Sequence, residues 1–322
     1  MRSLLRPLWL VLFCSPALAR RGGSSRPSAG GSSSGGSAGG GLVLDPVIAA
    51  IFSFAIIFFF MTFTQSIFLL YCIVKSRKFQ LPVKAKLGPF FSISLLFSTV
   101  ALTLAYALHA LFWAMTRNKV KDYRVNLPVP FLNAWNALEF LADIFLLSAL
   151  FSLASHREKS TLKVSPNQRN VKMVVEALLV ILLLGLGAGY LIARTFNSQI
   201  SEHFYITFTF FLVMAALYLT VSSSVMYIQT RRSGSTDKIF SRIAFIISPC
   251  FFVHAIYLVI AEIIQLAGLA TKISPGVDLT GLLISGITEF TALTVCLLFI
   301  PRKPTQPSCS EVPATDSSSD KP

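Results

Sequence analysis

Seven apolar runs, each long enough to cross a lipid bilayer, dominate the chain: 46–74, 90–115, 131–155, 172–194, 204–228, 240–268 and 280–300. A helix needs about 20 apolar residues to span the hydrocarbon layer. There every backbone N–H and C=O must be paired within the protein, and runs of this length achieve it as helices. The runs are apolar all round rather than along one stripe, as lipid-facing helices are. Hydrophobic residues make up 54% of the sequence, charged residues only 13%, and mean hydropathy is +0.68. A soluble domain carries roughly 25% charged residues. The fold class expected is therefore all-α: a polytopic membrane protein, a seven-transmembrane helix bundle over 46–300 in the lipid bilayer.

Residues 1–19 read as a signal peptide: basic Arg2 and Arg6, a short apolar core from Leu8 to Cys14, and the small-residue site Ala17-Leu18-Ala19. That core is too short to span alone. Residues 20–45 are a Gly/Ser-rich extracellular or lumenal tether with almost nothing to bury. Residues 301–322, rich in Pro and Ser, are expected to form a disordered cytoplasmic tail.

Lys and Arg set the orientation. The connections after runs 1, 3 and 5 carry Lys75, Arg77, Lys78, Lys84 and Lys86, then Arg157, Lys159, Lys163, Arg169 and Lys172, then Arg231, Arg232, Lys238 and Arg242. The opposite side carries fewer, with the basic stretch 117–124 as an exception. This puts the N-terminus outside and the C-terminus in the cytoplasm, as the signal peptide does. The net charge of +14 is thus a matter of topology, and no nucleic-acid partner is expected. The secretory pathway, with the plasma membrane as destination, is the expected localisation. Trp113, Tyr123 and Trp135 fall near the outer interface. Gly185, Gly187 and Gly189 give run 4 a close-packing pattern, and Pro249 should kink run 6. The five cysteines show no disulfide framework or metal spacing.

Ionisable groups inside a membrane are costly and mark function by default. Run 3 contains Asn133, Asn136, Glu139 and Asp143. At about 100° per residue the last three fall within roughly a 60° arc, and Glu139 lies about 6 Å nearer the outside than Asp143. Glu289 in run 7 and His254 in run 6 share the depth of Asp143. Glu262 and Gln265 lie higher on run 6, His109 in the outer half of run 2, and Gln65 within run 1. Glu176, near the inner end of run 4, is able to snorkel or to pair with Lys172. The expected cluster is Asn136, Glu139, Asp143, His109, His254, Glu262 and Glu289, with four carboxylates and no buried Lys or Arg. Such a set must hold protons, share them, or meet a cation. It suits an unknown small molecule or cation, a proton or sodium pathway, or acid catalysis. Each residue taken singly also suits plain interhelical hydrogen bonding.

In topology the seven spans, outer N-terminus and signal peptide resemble G-protein-coupled receptors, in layout alone. The motifs of the rhodopsin-like class are absent: run 3 ends in Ser155-His156-Arg157-Glu158, and run 7 in Phe299-Ile300-Pro301. The resemblance implies a receptor-like or sensor protein with an outward-opening acidic pocket and a cytoplasmic effector at loops 156–171 and 229–239. The alternatives are an integral membrane enzyme of cyclase or isomerase type, using intramembrane carboxylates as acids, and a proton- or cation-coupled transporter. No cofactor is expected: run 7 has no Lys for a retinal Schiff base, and the histidines form no paired haem ladder.

Overall fold

A computed structural model describes residues 46–78, 89–116, 129–161, 165–196, 198–232, 241–266 and 270–299. The signal peptide, the tether, the tail, Tyr123, the Gln265 side chain and residues 162–164 and 233–239 of the two proposed effector loops lie outside these.

The described residues are helical, with no strand among them. The helices are α1 (Pro46–Lys78), α2 (Pro89–Thr116), α3 (Val129–Thr161), α4 (Pro166–Phe196), α5 (Ser198–Arg232), α6 (Ser248–Leu266, entered through a π-helical turn at Ile243–Ile247) and α7 (Ala270–Leu297). Seven are long and apolar enough to cross a membrane, as the hydropathy runs require. Pro46, Pro89 and Pro166 each stand first in their helix, where a missing N–H costs nothing. Helix α4 begins at Pro166 rather than at 172 because its first turns are polar. A hydropathy run stops there; the helix does not. Ser165 caps it, its Oγ accepting from the Gln168 N–H and its carbonyl from the Arg169 N–H.

Neighbours in sequence pack against each other, α1 also meets α7, and α3 additionally touches α5. The contact between α1 and α7 closes the ring. In the most apolar window of α3 67% of residues are buried, against 28% in α1 and 22% in α4. A polar residue on the inward face of α3, such as Asp143, is thus placed in the middle of the protein. One end of the bundle carries Lys75, Lys172, Arg231 and Arg232 and is called the basic end; the other carries Trp113 and Trp135 and is called the tryptophan end.

The expected kink at Pro249 takes the form of a π turn. Proline has no N–H for the carbonyl four residues back, and its ring crowds that carbonyl. Widening the preceding turn removes the conflict, and the Ser248 N–H reaches the Ile243 carbonyl five residues back. Ser248 Oγ lies 3.1 Å from Ser223 Oγ and fixes this turn to α5.

The small residues accept rings rather than backbones. A Cβ on Gly187 would touch Phe140 at 3.4 Å, and one on Gly189 would meet Phe204 at 2.6 Å, while Gly185 faces open space. No disulfide joins Cys72, Cys250 and Cys296.

Candidate functional site: a buried Asp–His–Glu cluster

Asp143, His254 and Glu289 meet in the core, contributed by α3, α6 and α7. All three are buried, at 5%, 3% and 7% exposure. His254 Nε2 lies 3.0 Å from Asp143 Oδ1 and 3.5 Å from Glu289 Oε1. Tyr106 of α2 donates its hydroxyl to Glu289 Oε2 at 2.9 Å. The depth that sequence counting assigned to these three residues is thus realised as contact. Tyr106 was missed; the available signal was a tyrosine at mid-span, whose hydroxyl needs a partner when buried.

Local packing fixes each member. Ser98 Oγ donates to the Ala142 carbonyl at 2.9 Å and holds α2 to α3 beside Asp143. Tyr257 donates to the Val277 carbonyl at 2.9 Å and ties α6 to α7 near His254. Gly286 makes room for Phe58, whose ring lies 5.5 Å from that of Tyr106. Alanine at 286 would drive Phe58 into the tyrosine that holds Glu289.

Charge is the main feature of the cluster. Among the described residues no Lys or Arg pairs with Asp143 or Glu289. One imidazole nitrogen faces both carboxylates, and a neutral imidazole offers it at most one proton. Nδ1 of His254 is buried with no partner among the described residues. A doubly protonated ring would therefore carry an unsatisfied N–H there, which is expensive in a dry core.

The other expected residues divide among separate neighbours. Glu139 is accessible, one helical turn from Asp143 towards the tryptophan end, and accepts from Trp135 Nε1 at 2.6 Å. It stands within electrostatic range of Asp143, His254, Glu289 and Tyr106, all interior residues. Glu139 is thus the exposed carboxylate nearest in sequence to the cluster on α3. His109 is buried between two tryptophans, accepting from Trp113 Nε1 at 3.1 Å and meeting the Trp135 ring edge-on at 4.5 Å. Trp113 thus lies inside the bundle at the level expected of an interfacial ring.

Asn136 turns towards α4, donating to the Tyr190 hydroxyl at 3.0 Å, which also accepts from Arg194 at 2.6 Å. Glu262 stands apart from the cluster, in a cleft of about 290 Å³ between α5 and α6 lined by Ile206, Phe210, Val213 and Ile256. Gln65 bonds Thr294 Oγ1 at 2.7 Å and the Phe290 carbonyl at 3.3 Å, one helical turn beyond Glu289 towards the basic end.

Glu176 does not snorkel. It is buried, accepts from Ser155 Oγ at 2.9 Å and lies 4.0 Å from Lys172, which also pairs with buried Glu158 at 2.5 Å. This second carboxylate cluster joins α3 to α4 near the basic end.

The core arrangement can hold a cation or exchangeable protons between three helices, one helical turn from the exposed carboxylate of Glu139. No protein-family model, curated protein or solved structure matches the chain.

Proposed function

We propose that this integral membrane protein is a receptor-like or sensor protein whose acidic intramembrane cluster takes up a cationic ligand, with exposed Glu139 as the first carboxylate it meets. The single observation that carries this reading is the Asp143–His254–Glu289 cluster, which joins α3, α6 and α7 without a Lys or Arg among the described residues. A cation entering it changes the attraction among three helices at once. His254 lies five residues beyond Pro249 and the π turn. Widened turns of this kind recur at functional joints in helices. Motion of α6 at that joint would carry the event to the basic end, where the expected effector surface lies. A ligand acts this way only through different affinities for the two positions of α6.

The test uses the whole protein in nanodiscs, with paired labels at the basic ends of α1 and α5–α6. A panel of small organic cations and divalent metal ions is compared with neutral analogues of the organic cations of equal size. Cations are expected to raise Tm and change the label separation in the wild type, and to do neither in Asp143→Asn. Equal responses to neutral analogues, or no change in separation with any bound cation, would sink the receptor reading.

A second reading, cation- or proton-coupled transport, has its own support. Polar groups continue past the cluster, from Gln65 and Thr294 to Ser66 Oγ, 3.4 Å from Thr103 Oγ1. Sodium and proton flux in proteoliposomes, abolished by Glu139→Gln and Asp143→Asn, would put transport first.

A further inference from the structure

We propose that Asp143, His254 and Glu289 form a binding site for a divalent transition-metal ion. The proposal deepens the reading above by naming the cation, and it shares with that reading only the need for positive charge in the core.

Geometry is the first ground. One ligand atom from each residue lies within 4.8 Å of the others, and all three residues are buried. Zinc binds nitrogen and oxygen at about 2.0–2.2 Å, so two ligands of a tetrahedral ion stand roughly 3.4 Å apart. Nε2 lies 3.0 Å from Asp143 Oδ1 and 3.5 Å from Glu289 Oε1, on either side of that spacing. Each ligand sits on a different helix, so the convergence does not follow from the repeat of a single helix.

Chemistry is the second ground. Two carboxylates and one imidazole suit zinc and its neighbours in the first transition row. Calcium takes six to eight oxygens and magnesium a near-ideal octahedron, and neither favours a nitrogen ligand. Tyr106 holds Glu289 Oε2 and leaves Oε1 directed at the imidazole. Partners of this kind orient metal-binding carboxylates. Three protein ligands leave a fourth position for water or a ligand atom, as in open zinc sites. Exposed Glu139, one turn away on α3, adds a further carboxylate near the site.

One feature limits affinity. A metal on Nε2 places the ring proton on Nδ1, which has no acceptor among the described residues. Loss of such an acceptor weakens metal binding by about 10–100-fold. The site should therefore exchange its metal with chelators rather than hold it through purification.

The experiment strips the full-length protein in detergent with a chelator and titrates it with Zn²⁺ against a chromophoric competitor. Co²⁺ is used in parallel for its visible absorption. The wild type is expected to take up one equivalent of Zn²⁺ and to give the intense visible bands of low-coordinate Co²⁺. Glu289→Gln and His254→Gln should weaken binding at least about tenfold, and Tyr106→Phe should weaken it less and keep the Co²⁺ bands. Absence of stoichiometric uptake by the wild type overturns the proposal and requires no variant to fold. Undiminished uptake in both Glu289→Gln and His254→Gln overturns it as well. Neither result depends on movement at the basic end, so the metal site and the sensor reading fail separately.

Discussion

Near the basic end Glu158 and Glu176 share a lysine; about 22 Å away along α3, at 1.5 Å per residue, Asp143 and Glu289 share only a histidine. Both pairs are buried at the same helix-rich core, and both draw on α3. The first includes a permanent cation, a serine donor and short distances. It has the composition of a fastening. The second holds two carboxylates with no Lys or Arg beside them, and one imidazole nitrogen without a partner, among the described residues. Such an arrangement is a weak source of stability, and groups held this way are the ones available for binding.

The comparison can be broken most forcefully at Lys172. Lys172→Met would leave two buried carboxylates without their cation and is expected to destabilise the protein by about 3–5 kcal/mol. The fall should appear in the Tm of detergent-solubilised protein, and adding Glu158→Gln should recover most of it. A loss below about 1 kcal/mol would show that the basic-end cluster is not a fastening.

The core cluster should respond with the opposite sign. In metal-stripped protein, Asp143→Leu, His254→Leu and Glu289→Met together replace the ionisable cluster by apolar side chains of similar volume. Stability is expected to rise by about 1–4 kcal/mol, read by the same Tm, while cation binding is lost. A drop comparable to that of Lys172→Met would make the two clusters equivalent and remove the ground for treating the core as functional.

The smallest contrast compares single donors. Tyr106→Phe and Ser155→Ala each remove one hydroxyl from a buried carboxylate, at a cost of about 1–3 kcal/mol. Tyr106→Phe should cost more, because Glu176 keeps Lys172 at 4.0 Å and Glu289 keeps no Lys or Arg among the described residues. Equal or reversed losses in chemical denaturation would show that charge balance does not distinguish the two regions.

The seven spans were legible because hydropathy reports on the environment of a whole helix. Depth along each helix was equally legible, which is why Asp143, His254 and Glu289 could be placed together by counting. Rotation was not, since a membrane helix that is apolar all round carries little sign of which face is inward. The arc of Asn136, Glu139 and Asp143 shows the consequence. On a central helix roughly 60° of arc is enough to face different neighbours. Asn136 turned to α4 and Asp143 to α6, while Glu139 stayed exposed against Trp135 of its own helix. The fate of Glu176 was illegible for a related reason: whether a carboxylate near a helix end snorkels or pairs depends on which helix covers it. Pro249 announced a break, yet its form depends on whether the preceding carbonyl finds a donor five residues on, a tertiary outcome.

The π turn also keeps α6 in phase. Ile243, Ile247, Phe251 and Ala255 are all buried and recur every four residues. On a regular α-helix four residues overshoot a full turn by about 40°, so a stripe with this repeat drifts around the helix. Three such steps would carry it roughly a third of the way round, and Ile243 would point into lipid while Ala255 packed. The wider turn over Ile243–Ile247 takes up the overshoot where it begins. It acts as a stutter does in a coiled coil, resetting the register of the buried face.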